Sequence, residues 1–269
     1  MKKMGLWMIA GAIILTLLVG FTAKESTAGI QGRDRLAAAN QQWNELIKLA
    51  MKKSEEKLTG VVKWQGTWQV DMTAKEAAEE LAQKLGLGEV KRYEVQNHPV
   101  YKAQSVAWNS EEIQEELSII AREKNSLYVV LRIDAHGQGL NTVTQRQEKA
   151  GAVLLQAKVD ANWNGAIRGG VKLKSTAGQK REGGQLSAET AVFKQLEADL
   201  HEAGLRPAAL DKYEDENTVT STYYLPEFEI GIKVQGSSKP IGLQMAVHTD
   251  MQGGMQELSW GSPMLTVEY

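Results

Sequence analysis

The sequence predicts an α+β protein in which two pseudo-symmetric helix-strand-helix-sheet repeats form one saddle-like antiparallel sheet with helices on one face. Three observations carry this expectation. Gly60 to Asp71 alternates as a strand, with Val62, Trp64, Gly66, Trp68 and Val70 on one side and Lys63, Gln65, Thr67, Gln69 and Asp71 on the other. A degraded copy recurs in the second half, where aligning Ile167 with Trp64 superposes Gly169 on Gly66 and Val171 on Trp68. A helix follows the strand in both halves, stopping at Gly86-Leu87 in the first and at Gly204-Leu205 in the second.

The elements follow in order. Between Arg33 and Lys57, Leu36, Ala39, Trp43, Leu46, Ile47, Ala50 and Met51 make one stripe of a long helix. Thr73 with Glu76 forms a capping box, and Ala74, Ala77, Ala78, Leu81 and Leu85 continue as a second helical stripe. Lys91 to Gln96 and Val100 to Trp108 read as a hairpin turned at Asn97-His98-Pro99. Glu111 to Lys124 is helical by composition, yet a strand turning at Lys124-Asn125 into Leu127 to Ala135 keeps the sheet continuous and is preferred. In the second half a helix over Asn141 to Ala157 leads into Trp163 to Val171. Ser175 to Gly184 is an inserted loop, and a helix from Ser187 turns Val192, Leu196, Leu200 and Ala203 inward. Strands follow at Leu210 to Glu214, Thr218 to Leu225, Phe228 to Gln235 and Ile241 to Asp250. The last is matched to Leu127 to His136, and the tail after Gly253 has no partner in the first copy.

Composition sets bounds on function. Hydrophobic residues make up 42% and charged residues 24%, enough for a folded core. The absence of cysteine excludes disulfides, thiolate zinc sites and cysteine nucleophiles. Residues 1–28 read as a signal peptide or an N-terminal membrane anchor: Lys2 and Lys3, an apolar run from Leu6 to Phe21, then small residues at Ser26 and Ala28. Residues 29–137 are then the first repeat and 138–269 the second repeat of one fused domain. Without the leader, 28 basic residues face 32 acidic ones, a poor balance for nucleic acid. The expected location is extracytoplasmic, with membrane contact only through an uncleaved N-terminal segment.

The order of Trp64-Gln65-Gly66, Thr73-Ala74-Lys75-Glu76-Ala77, Leu131-Arg132-Ile133 and Asn164-Gly165-Ala166-Ile167-Arg168-Gly169 resembles the YwmB-like family of exported proteins of unknown function. The resemblance implies a fold similar to the TATA-box-binding protein, with two halves forming a saddle. It does not imply DNA binding, because fold does not carry function. Minor-groove wedging draws on exposed apolar side chains, and Phe21, Phe193 and Phe228 lie in the leader or at core positions.

Ser54-Glu55-Glu56-Lys57 matches a Ser-x-x-Lys pattern but lies at the end of a helix, without the accompanying Lys-Thr-Gly element. In the repeat alignment Asp134 pairs with His248 and His136 with Asp250, so a metal-assisted hydrolase site is one alternative. A structural, oligomerising module is another. The leading expectation is a non-catalytic binding module, not an enzyme and without cofactor or metal, that takes an envelope polymer or envelope protein on the open sheet face. Lys63, Gln65, Thr67 and Gln69 of the first copy, with Arg168 and Lys172 of the second, would form that surface.

Overall fold

The computed structural model describes residues 32–106, 112–123, 125–172, 188–215, 217–234, 236–250 and 255–265. Helix α1 (Gly32–Lys53) leads into β1 (Thr59–Gln69), and α2 (Ala74–Leu85) into β2 (Lys91–Val95), β3 (His98–Gln104), β4 (Ile113–Glu123) and β5 (Ser126–His136). A short 3-10 turn (Gly137–Thr142) and α3 (Val143–Gln156) open the second half. It continues as β6 (Asp160–Lys172), α4 (Ala188–Glu202), β7 (Ala208–Glu214), β8 (Thr218–Tyr224), β9 (Leu243–Asp250) and β10 (Met255–Ser262).

All ten strands join one antiparallel sheet in the order β2-β3-β4-β5-β1-β6-β10-β9-β8-β7. The order is symmetric about the β1–β6 seam, where Val62 lies opposite Gly165 and Trp64 opposite Trp163. Each half is therefore a five-strand unit, with β10 taking the part of β5 and β9 the part of β4. This corrects the matching of Ile241 to Asp250 with Leu127 to His136: the counterpart of β5 is β10, drawn from the tail expected to have no partner.

The helices cover one face. Val62, Trp64 and Trp68 of β1 are buried there, as are Leu127, Val129, Leu131 and Ile133 of β5 and Leu258 and Trp260 of β10. Trp43 of α1 is fully buried because two glycines make room for it. A Cβ at Gly60 would come within 2.6 Å of its indole, and one at Gly165 within 3.2 Å. The α1 stripe holds at Ala39, Trp43, Leu46 and Ala50, but Met51 is exposed and the helix stops at Lys53. There Ser54 clips to β6, accepting a hydrogen bond from Gly170 N at 3.1 Å. The Ser-x-x-Lys match is thus a helix end tied to a strand.

Thr73 caps α2 as expected: Glu76 N donates to Thr73 Oγ1 at 3.2 Å and Thr73 N to Glu76 Oε2 at 2.9 Å. The helix ends at Gly86 with φ 78, a left-handed position that suits glycine. Between Glu111 and Lys124, themselves outside the described residues, the strand is what forms: β4 covers Ile113–Glu123. The β2–β3 turn falls on Gln96 and Asn97, both at positive φ, starting one residue ahead of the expected Asn97-His98-Pro99 and leaving His98 and Pro99 in β3.

Of the expected strand Phe228 to Gln235, the described residues 228–234 do not form one. Phe228, Ile230 and Ile232 are buried, but only a single bridge, Ile232 to Ile241, forms there, and Val234 is exposed. The reason lies in α1, where the buried Gln42 takes the place of a neighbouring strand. Its Nε2 donates to Ile230 O at 3.1 Å and its Oε1 accepts from Ile230 N at 2.8 Å. Gln42 also donates to Ser262 Oγ at 2.6 Å, and Ser262 donates to Gly242 O at 2.7 Å, so one amide ties α1, the connector and the end of β10 together. In α4, Leu196 and Leu200 turn inward with Phe193, but Ala203 is exposed. Among the described residues no helix is long and apolar enough to cross a membrane, and the Leu6 to Phe21 run lies outside them.

Candidate functional site: the open sheet face

Residues opposite one another in an antiparallel pair point to the same side, so the register of β1 maps the whole uncovered face. Lys63, Gln65 and Thr67 lie there half-buried and Gln69 exposed, with Gln69 Nε2 donating to Ser126 Oγ at 3.3 Å. Arg168 shares the face, opposite Thr59. Lys172 lies on β6 opposite Met255, and its side chain is outside the described residues. Of the three expected cations, Lys63 and Arg168 are not neighbours. Arg168 is four residues from Asn164, the partner of Lys63, which separates them by about 13 Å along the strand direction.

The first half carries a charged row that the sequence reading missed. Across β3, β4, β5, β1 and β6 it runs Gln104, Glu116, Arg132, Lys63, Asn164. Glu116 accepts from Lys102 Nζ at 2.8 Å, from Gln104 Nε2 at 2.8 Å and from Ser118 Oγ at 3.3 Å. Arg132 grips Asp134 with two bonds, 2.6 Å and 2.7 Å. On the second half Arg168 faces Glu257 at 3.8 Å. Lys102, Arg132 and Arg168 each have a carboxylate, so the face is a charge-balanced lattice rather than the cationic surface that suits a polyanion. The signal for this row was present: once Leu127 to Ala135 reads as a strand with Leu131 and Ile133 inward, Arg132 and Asp134 are outward.

The corresponding row of the second half is Ala166, Gly261, Gln244 and Thr222. Small residues replace charges here. The segment after β10 folds over this bed: Asn164 Nδ2 donates to Met264 O at 2.8 Å, and Leu265 N donates to Gln244 Oε1 at 2.9 Å.

The His and Asp alternative is corrected by topology. Strands β5 and β9 are four steps apart, with β1, β6 and β10 between them, which puts Asp134 and His136 about 19 Å from His248 and Asp250. Asp134 is held by Arg132, His136 lies opposite Thr59, and His248 Nδ1 is 3.0 Å from Thr218 Oγ1. The Asp250 side chain lies outside the described residues. Among the described residues no group of three or more His, Cys, Asp or Glu could hold a metal ion.

Titratable groups with displaced pKa values lie off this face or at its rim. Burial, with a hydrogen bond to Glu197, pushes the Tyr223 hydroxyl above its ordinary range. Backbone donation from Asn217 holds the Asp215 carboxyl below the usual carboxylate range. Both are explained by local structure.

No family model matches this chain, and no curated protein matches it. Two solved structures are similar over part of it. The di-domain ARO/CYC StfQ from the steffimycin biosynthetic pathway is 9% identical, with 74% of this chain and 83% of that chain covered at a TM-score of 0.19. The di-domain ARO/CYC BexL from the BE-7585A biosynthetic pathway is 9% identical, with 74% and 84% covered at a TM-score of 0.19. At 9% identity and a TM-score of 0.19 these neighbours carry no argument about this chain, and the expectation that it is not an enzyme is withdrawn and goes no further. A likeness of 0.19 transfers neither site nor reaction to this chain.

Proposed function

We propose that the protein is exported and works in the cell envelope as a binding module, engaging an envelope protein through the open face of its sheet. The observation that carries this reading is the one-sided architecture. Ten strands with helices on a single face leave the other free of helices, with Lys63, Gln65, Thr67 and Arg168 half-buried on it. Residues 1–28 supply an export route, in keeping with the resemblance to YwmB-like proteins. The paired charges at Glu116, Asp134 and Glu257 favour a polypeptide, which offers donors and acceptors together, over a polyanionic wall polymer that draws on uncompensated cations. A self-associating module is the weaker reading, because both outer strands are blunted by ion pairs along the edge, Arg92–Glu94 at 3.2 Å and Lys212–Glu214 at 3.0 Å.

The test is affinity capture of the chain without its leader against native envelope fractions, with bound proteins identified by mass spectrometry. Lys63→Glu combined with Arg168→Glu should reduce capture of the specific partner at least about tenfold, the change that 1.4 kcal/mol produces. Capture that is indifferent to the double reversal, with the fold intact by circular dichroism, removes the reading.

A further inference from the structure

The segment after β10 does more than cover the sheet. The peptide group joining Met264 to Leu265 lies flat against Gly261, so close that a Cβ there would be 2.7 Å from Met264 C, Met264 O and Leu265 N. That one peptide group is gripped from two sides: its carbonyl by Asn164 of β6 at 2.8 Å, its N–H by Gln244 of β9 at 2.9 Å. Ala166, Ser259 and Ala246 complete a smooth bed around Gly261 at 4%, 2% and 2% exposure. Both hydrogen bonds go to backbone, which every extended polypeptide offers regardless of its side chains. In the matching place of the first half, Glu116, Arg132 and Lys63 stand where Gln244, Gly261 and Ala166 stand here, so long charged side chains replace the glycine and alanine of the bed.

We propose that Asn164, Gly261 and Gln244 form a peptide clamp for an extended segment of a partner protein, with Met264–Leu265 as the resident occupant that the partner displaces. This rests on the open-face reading above and names the form in which the partner is held. A bound partner segment would receive one hydrogen bond from Asn164 and give one to Gln244, while the resident segment lifts from Gly261. Binding is weakened by the fraction of molecules in which the clamp is filled, so release of the resident segment strengthens it.

Leu265→Pro in the full chain removes the N–H that Gln244 accepts and leaves the clamp residues in place. The probe is a dye-labelled peptide of residues 262–269, Ser-Pro-Met-Leu-Thr-Val-Glu-Tyr, followed by fluorescence anisotropy. The L265P protein should bind it at least about tenfold more tightly than the wild type. Adding Asn164→Ala and Gln244→Ala should reverse that gain about tenfold. Equal uptake by wild type and L265P, both folded, overturns the clamp, as does uptake that survives loss of both amides. If L265P fails to fold, hydrogen exchange decides: the Leu265 amide should be protected in the wild type and exposed in Gln244→Ala, and an unprotected wild-type amide overturns the proposal. Peptide uptake with failed envelope capture would leave the clamp standing and remove the envelope reading; the reverse result would do the opposite.

Discussion

Gln42→Leu is the substitution that tests most directly how the second half is held. The side chain is 1% exposed, and its amide satisfies both backbone groups of Ile230, itself fully buried. Leucine has a similar length but neither donor nor acceptor. Ile230 N–H and C=O would be stranded without water, at about 1–3 kcal/mol for each orphaned group. Ser262 keeps its bond to Gly242 O, so its hydroxyl is still served. Allowing for the added apolar burial, the expected loss is about 3–4 kcal/mol, a large part of the 5–15 kcal/mol typical of a folded domain. Urea unfolding should show a lower midpoint with an unchanged slope, because the surface exposed on unfolding is the same. The Ile230 amide should also lose protection from hydrogen exchange ahead of the core of β5. A loss below about 1 kcal/mol would refute the reasoning, since it would mean that Ile230 finds other partners at no cost.

Three further outcomes are expected. Thr73→Ala removes the acceptor that caps α2 and should cost about 1 kcal/mol, a fall in melting temperature of about 2–4 °C. Donation from the Thr73 backbone holds the Glu76 carboxyl below its ordinary range, so its contribution is present above the unfolded pKa and disappears as pH falls through the folded one. Melting curves of Glu76→Gln and wild type should differ at neutral pH and converge in acid, and a constant gap would contradict this. Zinc or manganese titration should leave the melting temperature unchanged, because Asp134 and His136 are strands away from His248; a rise that vanishes in His136→Ala/His248→Ala would overturn the topology argument.

Much of the first half was legible in the sequence, because its signals are local. The alternation of Val62 to Trp68, the Thr73 to Glu76 cap and the stop at Gly86 each depend on neighbours in the chain. The second half hides its strands in non-local partners. Inward positions of β10 read Gln256, Leu258, Trp260, Ser262, and the two polar ones are buried only because Thr249 and Gly242 satisfy them. The alternation at Leu258 and Trp260 was its one visible trace. Phe228 to Ile232 has a strand's apolar alternation but meets a helix glutamine in place of a strand, and nothing near Ile230 in sequence announces Gln42. On the open face, Lys63 to Gln69 were placed correctly by parity. Asn164 and Gln244 could not be recognised as a pair, because what unites them is the return of the segment after β10.

The β1–β6 seam has a consequence for how such a chain can be divided. Nine paired positions, from Thr59–Arg168 to Thr67–Asp160, join the halves into one continuous ladder. Cut at the α3 connection, either half would be left with its seam strand, β1 or β6, as a bare outer rim, and the side chains of Trp64 or Trp163 would lose their cover. Such a fragment has one ready solution, to adopt a second copy of itself across the same rim, so the intact protein can be viewed as a homodimer written on a single chain.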